Sequence, residues 1–343
     1  MRTYAILLHP GHNRVYFEES KRLSVAELQV ALETLALPYG DLRVTEIAGV
    51  PYLLFAVERP PARAEWEVLA NLSFIYAVFA VREGEETAFA PVELMKTRFL
   101  DENISTILKY TGKTNELFTR LMINLAHLTS DFRETSRIRL LDPVAMKGTT
   151  LFEGLIRGFD VCGVDIMEKP VHEGCTFLKK YLETEKLRHT THTEKCGGPG
   201  VAATRHSFEI ARTKDELKSG RSRHAEFVAG DARYVNYFFK KNSVELIVGD
   251  LPYGVQHGSI SGGKATLSGR TRNPAELLRE SLPAWREVLK PGGAMVLSWN
   301  RFVLPRTDMA DILTRAGLTV CDMPDFSHRV DQTILRDVIV AKK

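Results

Sequence analysis

The stretch IRLLDPVAMKGTTLFEGLIRGFDVCGVDI (residues 138–166) decides the fold class that the sequence predicts. It reads as an apolar strand, a glycine-bearing loop, a helix and a second apolar strand. Short apolar runs of this kind are typical of parallel strands that are covered on both faces. A strand–helix–strand unit therefore predicts an open α/β sheet.

The same alternation continues towards the end of the chain. Strands are predicted in AEFVAGDARYV (225–235), SVELIVGD (243–250) and RDVIVAKK (336–343), and helices in NPAELLRESLPAWREVLK (273–290) and RTDMADILTRAGL (306–318). Residues 131–343 are therefore predicted to form a Rossmann-like domain with a mostly parallel sheet.

The preceding residues have a different pattern. Residues 1–95 mix strand-like and helical runs and predict a small α+β domain that is a candidate RNA-binding unit. Residues 96–130 predict linking helices. Ser24 and Glu27 have the spacing of a capping box, and Thr114 is a candidate cap of the second linking helix.

The segment from about residue 184 to residue 223 interrupts the alternation. It contains THTEKCGGPGVAATRH (191–206), which is rich in Gly, Thr and His, and we expect an irregular surface insertion. Between Lys179 and His224 there are eleven Lys and Arg residues against six Asp and Glu residues. This surplus is either a solvated surface or a contact for a phosphate backbone.

Four acids stand at successive predicted strand ends: Asp142, Asp165, Asp231 and Asp250. Ligands of open α/β sheets bind beyond the carboxyl ends of the strands. Asp165 has the position that accepts ribose hydroxyls in nucleotide sites. Asp231, with Ala232, is a candidate contact for an adenine amino group, and Gly148 allows close approach of the backbone to a ligand.

The last of these acids begins the motif DLPYG (250–254). Together with DPVAMKGTT (142–150), GVDI (163–166) and GDAR (230–233), it resembles the class I S-adenosylmethionine-dependent amino-methyltransferases. Their hallmark after the fourth strand is Asp/Asn-Pro-Pro-Tyr. The motif order is most similar to that of the tRNA guanosine-10 N2-methyltransferase family. The resemblance covers about residues 95–343.

The resemblance implies a catalytic role for each residue of this motif. The Asp250 carboxylate and the Leu251 carbonyl would accept hydrogen bonds from the substrate amine. Pro252 would stiffen the loop, and the ring of Tyr253 would stack on an extruded base. The implied S-adenosylmethionine site consists of Thr114, Asn115, Asp142, Val144, Met146, Gly148, Asp165, Ile166, Asp231, Ala232 and Asp250.

One residue departs from the family pattern. The first loop of these enzymes normally reads Asp-Pro-x-x-Gly-x-Gly-Thr, and here Met146 replaces the first glycine while Gly148 is kept. A side chain at this position would crowd the cofactor or force the loop into another shape.

Several basic or polar residues are candidate RNA contacts. They are Lys264, Arg270 and Arg272 in SISGGKATLSGRTRNP (259–274), Arg221 and Arg223 in the insertion, and Asn300 and Arg301 after a predicted strand. The Gly- and Ser-rich segment is either a disordered connector or a substrate loop that becomes ordered on RNA.

The sequence thus predicts methyl transfer to an exocyclic amine of nucleic acid, with guanosine N2 in tRNA as the first hypothesis. The alternatives are a DNA adenine-N6 or cytosine-N4 methyltransferase and a catalytically weakened RNA-binding homologue. The absence of a signal peptide or an apolar span predicts a cytoplasmic protein without a membrane partner. Neither a metal site nor a disulfide framework is predicted, and a small activating protein remains compatible with the sequence.

Overall fold

The computed structural model describes residues 1–10, 14–82, 87–95, 98–253 and 274–343. The N-terminal part consists of β1 (Arg2–Leu8), α1 (Arg14–Thr34), β2 (Tyr39–Ile47), β3 (Val50–Val57), α2 (Arg63–Leu69), β4 (Ile75–Arg82) and β5 (Ala88–Val92). Its strands form one antiparallel sheet in the order β2-β3-β1-β4-β5. The first six elements form a ferredoxin-like βαββαβ unit, and β5 adds an edge strand.

Helix α1 begins ten residues before the predicted cap at Ser24. The Ser24 hydroxyl donates to the carbonyl of Ser20 at 2.6 Å, within the helix, instead of capping its start. The predicted capping box is therefore wrong. A serine bonded to a carbonyl one turn earlier is compatible with a helix interior, which the local spacing did not reveal.

Two helices follow, α3 (Asn103–Ile107) and α4 (Glu116–Thr129). Asn115, and not Thr114, caps α4, because its side-chain oxygen accepts the backbone N–H groups of Leu117 and Phe118 at 2.9 and 3.1 Å. The hydroxyl of Thr114 is consequently available for another contact.

The remaining elements form the large sheet and its helices. They are β6 (Arg139–Asp142), α5 (Thr149–Ile156), β7 (Asp160–Asp165), α6 (Glu168–Thr184), β8 (Arg188–Gly198), β9 (Val201–Ala211), α7 (Lys214–Lys218), β10 (Arg223–Ala229), a 3₁₀ turn (Ala232–Tyr234), α8 (Val235–Phe238), β11 (Val244–Asp250), α9 (Pro274–Val288), β12 (Leu289–Asn300), α10 (Arg306–Arg315), β13 (Thr319–Val320), β14 (His328–Arg329) and β15 (Leu335–Lys342).

The main path of this sheet has the order β13-β15-β12-β11-β6-β7-β10-β9-β8, and β14 pairs with β15. The five central strands β12, β11, β6, β7 and β10 are parallel, whereas β15 is antiparallel to β12. In chain order the central strands run 3-2-1-4-5, which is a doubly wound topology with its switch point between β6 and β11. The predicted Rossmann-like α/β fold is confirmed.

Residues 188–211 form a regular β-hairpin, so the expectation of an irregular excursion is wrong. Strand β9 pairs antiparallel with β10, and β8 pairs with β9 as the sheet edge. Pro199 and Gly200 make the turn, where Gly200 has φ +72°. The threonines of this segment favour β-structure when a neighbouring strand is present to pair with. That strand, β10, follows later in the chain, so the composition of the segment alone does not indicate the pairing.

A continuous hydrophobic cluster joins the two parts of the molecule. It includes Phe55 of β3, Leu28 of α1, Leu121 of α4 and Val296 of β12. Helix α4 thus lies between the N-terminal unit and one face of the large sheet. Helices α9 and α10 cover the opposite face with a second cluster around Trp285 and Trp299. Burial on both faces accounts for the unbroken apolar runs of the central strands.

A buried polar network crosses the same boundary. Glu27 of α1 accepts hydrogen bonds from the Ser73 backbone N–H at 3.1 Å and from Asn124 Nδ2 of α4 at 2.7 Å. The Asn124 side-chain oxygen in turn accepts from Arg157 Nη1 at 2.6 Å. Burial raises the pKa of Glu27. Glu27, Asn124 and Arg157 thereby each have a hydrogen-bond partner from another element.

Candidate active site

A cavity of about 490 Å³ opens at the carboxyl ends of β6 and β11, the switch point of the sheet. It is lined by Tyr110, Gly112, Thr114, Thr119, Asp142, Pro143, Val144, Ala145, Met146, Thr149, Thr150, Asp165, Ile166, Met167, Asp231, Ala232, Asp250, Leu251, Pro252, Tyr253 and Leu277. All four strand-end acids of the sequence analysis therefore face one space. Its position is the one at which open α/β sheets bind ligands.

The loop between β6 and α5 has two residues with left-handed backbone conformation. Met146 has φ +47° and Gly148 has φ +95°. A Cβ at Gly148 would lie 2.8 Å from Phe227 Cε1, so a side chain does not fit there. Met146 adopts a conformation that glycine takes without strain, which explains in physical terms why a glycine suits this position.

Asp165, at the end of β7, holds this loop in place. One of its carboxylate oxygens accepts the Met146 N–H at 2.9 Å, and the other accepts the Met167 N–H at 2.9 Å. Burial raises the pKa of Asp165. A carboxylate offers about four acceptor positions, so two of them are left for a ligand that donates hydrogen bonds.

Asp142 is the most strongly perturbed acid of the cavity. Burial, together with the nearby charges of Asp250 and Asp165, raises its pKa to about 7, against hydrogen bonds from Thr150 and Val144 that lower it. The Val144 N–H donates to the Asp142 carboxylate at 2.9 Å. Three carboxyl groups this close make the cavity an unfavourable place for an anion and a favourable one for a cation.

Asp231 faces the cavity but is engaged by Arg233. The Arg233 Nε lies 2.9 Å from one carboxylate oxygen and Nη2 lies 2.6 Å from the same oxygen, and Arg233 also bonds Glu280 at 2.9 Å. These two carboxylates raise the pKa of Arg233 above its ordinary value. The predicted contact of Asp231 with an adenine amino group remains a prediction.

Asp250, the last residue of β11, receives hydroxyl donors from three directions. Thr114 Oγ1 donates to it at 2.6 Å, the Ser298 hydroxyl of the neighbouring strand donates to it, and the phenol of Tyr253 bonds both carboxylate oxygens. Strand register places Ser298 directly beside Asp250. These three hydroxyl groups fix the orientation of the Asp250 carboxylate.

The phenol of Tyr253 also accepts a hydrogen bond from Arg336 Nε at 2.6 Å. The guanidinium of Arg336 lies 5.2 Å from the centre of the Tyr253 ring and 4.5 Å from that of Phe118. Burial and the charge of Asp250 raise the pKa of Tyr253 well above its ordinary value, so its phenol is neutral and acts as a donor. Tyr253 thus connects Asp250 with Arg336.

The four residues predicted as catalytic, Asp250 to Tyr253, all line the cavity. Nine of the eleven predicted cofactor residues also line it. The other two support it: Asn115 caps α4, and Gly148 lies at the start of α5. The structure brings these residues together, and their individual roles remain predictions.

The predicted RNA contacts are dispersed. Lys264, Arg270 and Arg272 lie outside the described residues. Arg221 is exposed just before β10, and Arg223 begins that strand, so both lie at the amino end of the parallel strands, away from the cavity at their carboxyl ends. Arg223 bonds the carbonyl of Gly158 and lies over the ring of Phe99.

The other two candidates lie at the carboxyl end of β12, where Asn300 is the last residue of the strand and Arg301 follows it. Asn300 is buried, and its side chain bonds the backbone of Thr333, Leu335, Phe302 and Tyr253. Arg301 is partly exposed and lies 3.8 Å from the buried carboxylate of Asp337.

Sequence reasoning missed several residues of this site, among them Ser298, Arg336 and Tyr110. The hydroxyl of Tyr110 is 2.9 Å from that of Thr149 at the cavity wall. A polar residue inside an apolar strand run, such as Ser298 in MVLSWN, is the signal that would have pointed to a site at that strand end.

No cluster of His, Cys, Asp and Glu suited to a metal ion occurs in the described ranges. None of the helices in the described part of the chain is long and apolar enough to cross a bilayer.

No protein-family model and no curated protein matches this chain. Solved structures with a similar fold include TrmN from Thermus thermophilus, at 16% identity and a TM-score of 0.44, with 100% of both chains covered. An rRNA methylase from Streptococcus thermophilus is similar at 8% identity and a TM-score of 0.35, over 64% of this chain and 95% of that one.

A TehB-like SAM-dependent methyltransferase from Corynebacterium glutamicum has 13% identity and a TM-score of 0.35, over 62% of this chain and 83% of that one. Identities and TM-scores this low carry no argument about what the present chain acts on.

Proposed function

We propose that this protein transfers a methyl group from S-adenosylmethionine to an exocyclic amine of a nucleic-acid base, namely N2 of a guanosine in tRNA. The observation that carries the proposal is the position of Asp250. Its carboxylate faces the same cavity as Asp142 and Asp165, at the switch point of the sheet, and begins the DLPYG motif.

The residues of the cavity fit this cofactor in size and chemistry. A volume of about 490 Å³ lies within the range of small-molecule sites. The acceptor positions left on Asp165 suit the two hydroxyls of a ribose. Ile166 and Met167 are apolar, partly exposed and line the cavity, so they offer a surface for a flat base.

The charge of the cavity supports the same ligand. S-adenosylmethionine carries a sulfonium, an ammonium and a carboxylate group, so that its net charge is positive, and the three carboxyl groups of the cavity favour a cation. Met146 keeps the left-handed conformation that suits this loop, which supports an active enzyme over a weakened homologue. When bound, the cofactor supplies an electrophilic methyl group on its sulfur.

The protein's own residues would activate and place the amine. The amino group of guanine is a poor nucleophile because its lone pair is delocalised into the ring. Asp250 and the carbonyl of Leu251 would accept hydrogen bonds from its two N–H groups and turn the nitrogen lone pair towards the cavity. The Leu251 N–H, bonded to the Ser298 carbonyl at 2.9 Å, fixes the segment for this task. Catalysis would rest mainly on this placement.

The choice of RNA as the substrate rests on the motif order and on the N-terminal unit. A base within a helical stem must leave the stack before its amine reaches a cavity of this depth. The ring of Tyr253, at the mouth beside Pro252, would then face the extruded base. The ferredoxin-like unit packs against α4 next to the cavity and would contribute to RNA contact.

The experiment has two stages. Calorimetric titration with S-adenosylmethionine should give one site per chain. Transfer of labelled methyl groups to a pool of unmodified tRNA transcripts should then yield N2-methylguanosine, identified by nucleoside mass spectrometry. If the label appears in DNA as N6-methyladenine or N4-methylcytosine and the tRNA stays unlabelled, the substrate is DNA and the proposed tRNA substrate is wrong. The absence of cofactor binding would overturn the proposal itself.

A further inference from the structure

An exposed aromatic residue and an arginine lie together beside the cavity. Phe302, in the turn after β12, is 55% exposed, which is unusual for a side chain of this size and polarity. The guanidinium of Arg329 in β14 lies 5.8 Å from the centre of its ring. We call these two residues the Phe302–Arg329 platform. Their exposed apolar neighbours Val303 and Val330 extend the same surface.

The platform is fixed to the catalytic motif through one buried side chain. Asn300 Oδ1 accepts the N–H groups of Phe302 and Leu335 at 3.2 Å each, so it holds both turns of the platform. Asn300 Nδ2 donates to the Tyr253 carbonyl at 3.4 Å. The platform and the catalytic segment are therefore neighbours held in one orientation.

The charge of this surface is suited to a polyanion. In the described part of the chain, Arg329 has no carboxylate within ion-pair distance. Arg301 lies 3.8 Å from the Asp337 carboxylate, and its charge also lowers the pKa of Asp325. The acid nearest in sequence, Asp331, turns back to the N–H and hydroxyl of Thr333 at 2.7 and 2.8 Å. A guanidinium over an exposed aromatic ring, with no carboxylate partner among the residues that the structure describes, is a combination on which unpaired bases stack.

We propose that the Phe302–Arg329 platform binds an unpaired nucleotide next to the methylated one, with its base on Phe302 and its phosphate near Arg329. This inference rests on the proposed function and adds a residue pair that selects the RNA by its structure next to the target base. The enzyme would prefer a target base whose neighbour in the RNA is also unstacked, because a neighbour within a stem has no free face.

The test compares three substitutions at one position, with steady-state methyl transfer to the pool of unmodified tRNA transcripts. Phe302→Ala should raise the KM for RNA about 5- to 100-fold, the range that loss of one stacked base predicts, with kcat within about twofold. Phe302→Trp should stay within about threefold of the wild-type KM. Phe302→Leu, which keeps an apolar side chain without an aromatic face, should behave like the alanine variant.

Arg329→Gln should raise the KM several-fold and reduce the salt dependence of RNA binding by about 0.7 in the logarithmic slope, as one lost phosphate contact predicts. Arg315→Gln, which changes an exposed arginine in the last turn of α10, at the end of that helix away from the turn that carries Phe302, is the matched control and should leave both quantities unchanged.

The outcomes separate the platform from the function on which it rests. If the wild-type protein methylates the tRNA pool and Phe302→Ala keeps its KM, or Phe302→Leu matches Phe302→Trp, base stacking on the platform is refuted while the function stands. A wild-type protein that binds S-adenosylmethionine but methylates no RNA refutes the proposed substrate and the platform with it. Calorimetric cofactor affinity equal to wild type in every variant excludes misfolding as the cause of a raised KM.

Discussion

The hydroxyl of Tyr253 makes a bifurcated hydrogen bond to Asp250, 2.7 Å from one carboxylate oxygen and 2.8 Å from the other. With the Thr114 and Ser298 hydroxyls bound to the same carboxylate, the phenol occupies acceptor positions that a substrate amine would need. Binding of the amine therefore requires the phenol to move away from Asp250, and this movement would free the tyrosine ring for a base.

The first prediction separates the phenol from the ring. Tyr253→Phe keeps the ring and removes the competitor for Asp250, so methyl transfer to RNA should be at least as efficient as in the wild type. Tyr253→Ala removes the stacking face. It should raise the activation free energy by about 1–3 kcal/mol and so lower kcat/KM. A phenylalanine variant as impaired as the alanine variant would mean that the hydroxyl itself takes part in the reaction.

The second prediction concerns Asp250. Asp250→Ala should reduce methyl transfer by about two orders of magnitude or more, because it removes an acceptor that acts on the reacting amine. Asp250→Asn keeps one side-chain acceptor and should fall between alanine and wild type. Cofactor affinity, measured by calorimetry, should change little in both variants, and near-normal turnover of the alanine variant would contradict the assignment.

Asp165 is predicted to hold the ribose of the cofactor. Asp165→Ala should weaken S-adenosylmethionine by about 2–4 kcal/mol, since two hydroxyls lose their charged acceptor. The same carboxylate also holds the N–H groups of Met146 and Met167, so thermal unfolding of the variant must be measured alongside. Unchanged affinity in a folded variant would place the ribose elsewhere.

Met146 provides a test of backbone strain. Its φ of +47° disfavours any residue with a Cβ, whereas glycine adopts it freely. Met146→Gly should therefore be more stable than Met146→Ala by about 1 kcal/mol, although glycine is normally the less stable of the two. Denaturant unfolding of both variants measures this difference, and an alanine variant of equal or greater stability would show that the loop relaxes.

The fifth prediction follows from the pKa of Asp142, which is raised from 3.8 to about 7. Between these values the folded protein holds a proton that the unfolded chain has released. Its free energy of unfolding should therefore fall as the pH rises from about 4 to about 7, by up to about 1.4 kcal/mol per pH unit, and level off above 7. The stabilisation is fully present below pH 4.

Asp142→Asn lacks this titrating group, so the pH dependence of wild type minus variant isolates its contribution. Urea denaturation curves at pH 5, 6, 7 and 8 measure it. A difference between wild type and variant that stays constant across this range would show that Asp142 titrates normally in the folded protein.

The sequence predicted the large sheet and the convergence of Asp142, Asp165, Asp231 and Asp250, because both depend on short-range patterns. An apolar run indicates a buried strand, and parallel strands bring their carboxyl ends to one edge. No knowledge of distant pairing was needed for either inference.

The partners of these acids could not be predicted in the same way. Ser298 lies beside Asp250, and Arg336 reaches Tyr253, only through the register of strands that are far apart in the chain. Arg233 competes for Asp231 through a rotamer that no sequence pattern specifies. The hairpin of β8 and β9 likewise depends on the neighbouring edge of β10, so its composition alone indicated a loop.

The bond between Glu27 and Asn124 has a consequence for the modularity of the protein. Removal of residues 1–95 would leave the side-chain N–H groups of Asn124 without their acceptors, the Glu27 carboxylate and the Asn71 carbonyl, and would expose the apolar side of α4 that faces Leu28. The N-terminal unit therefore cannot be exchanged independently of α4. A chimaera that imports such a unit from a related protein would need to import α4 with it, and substitutions on the two sides of this boundary are expected to accumulate in compensating pairs.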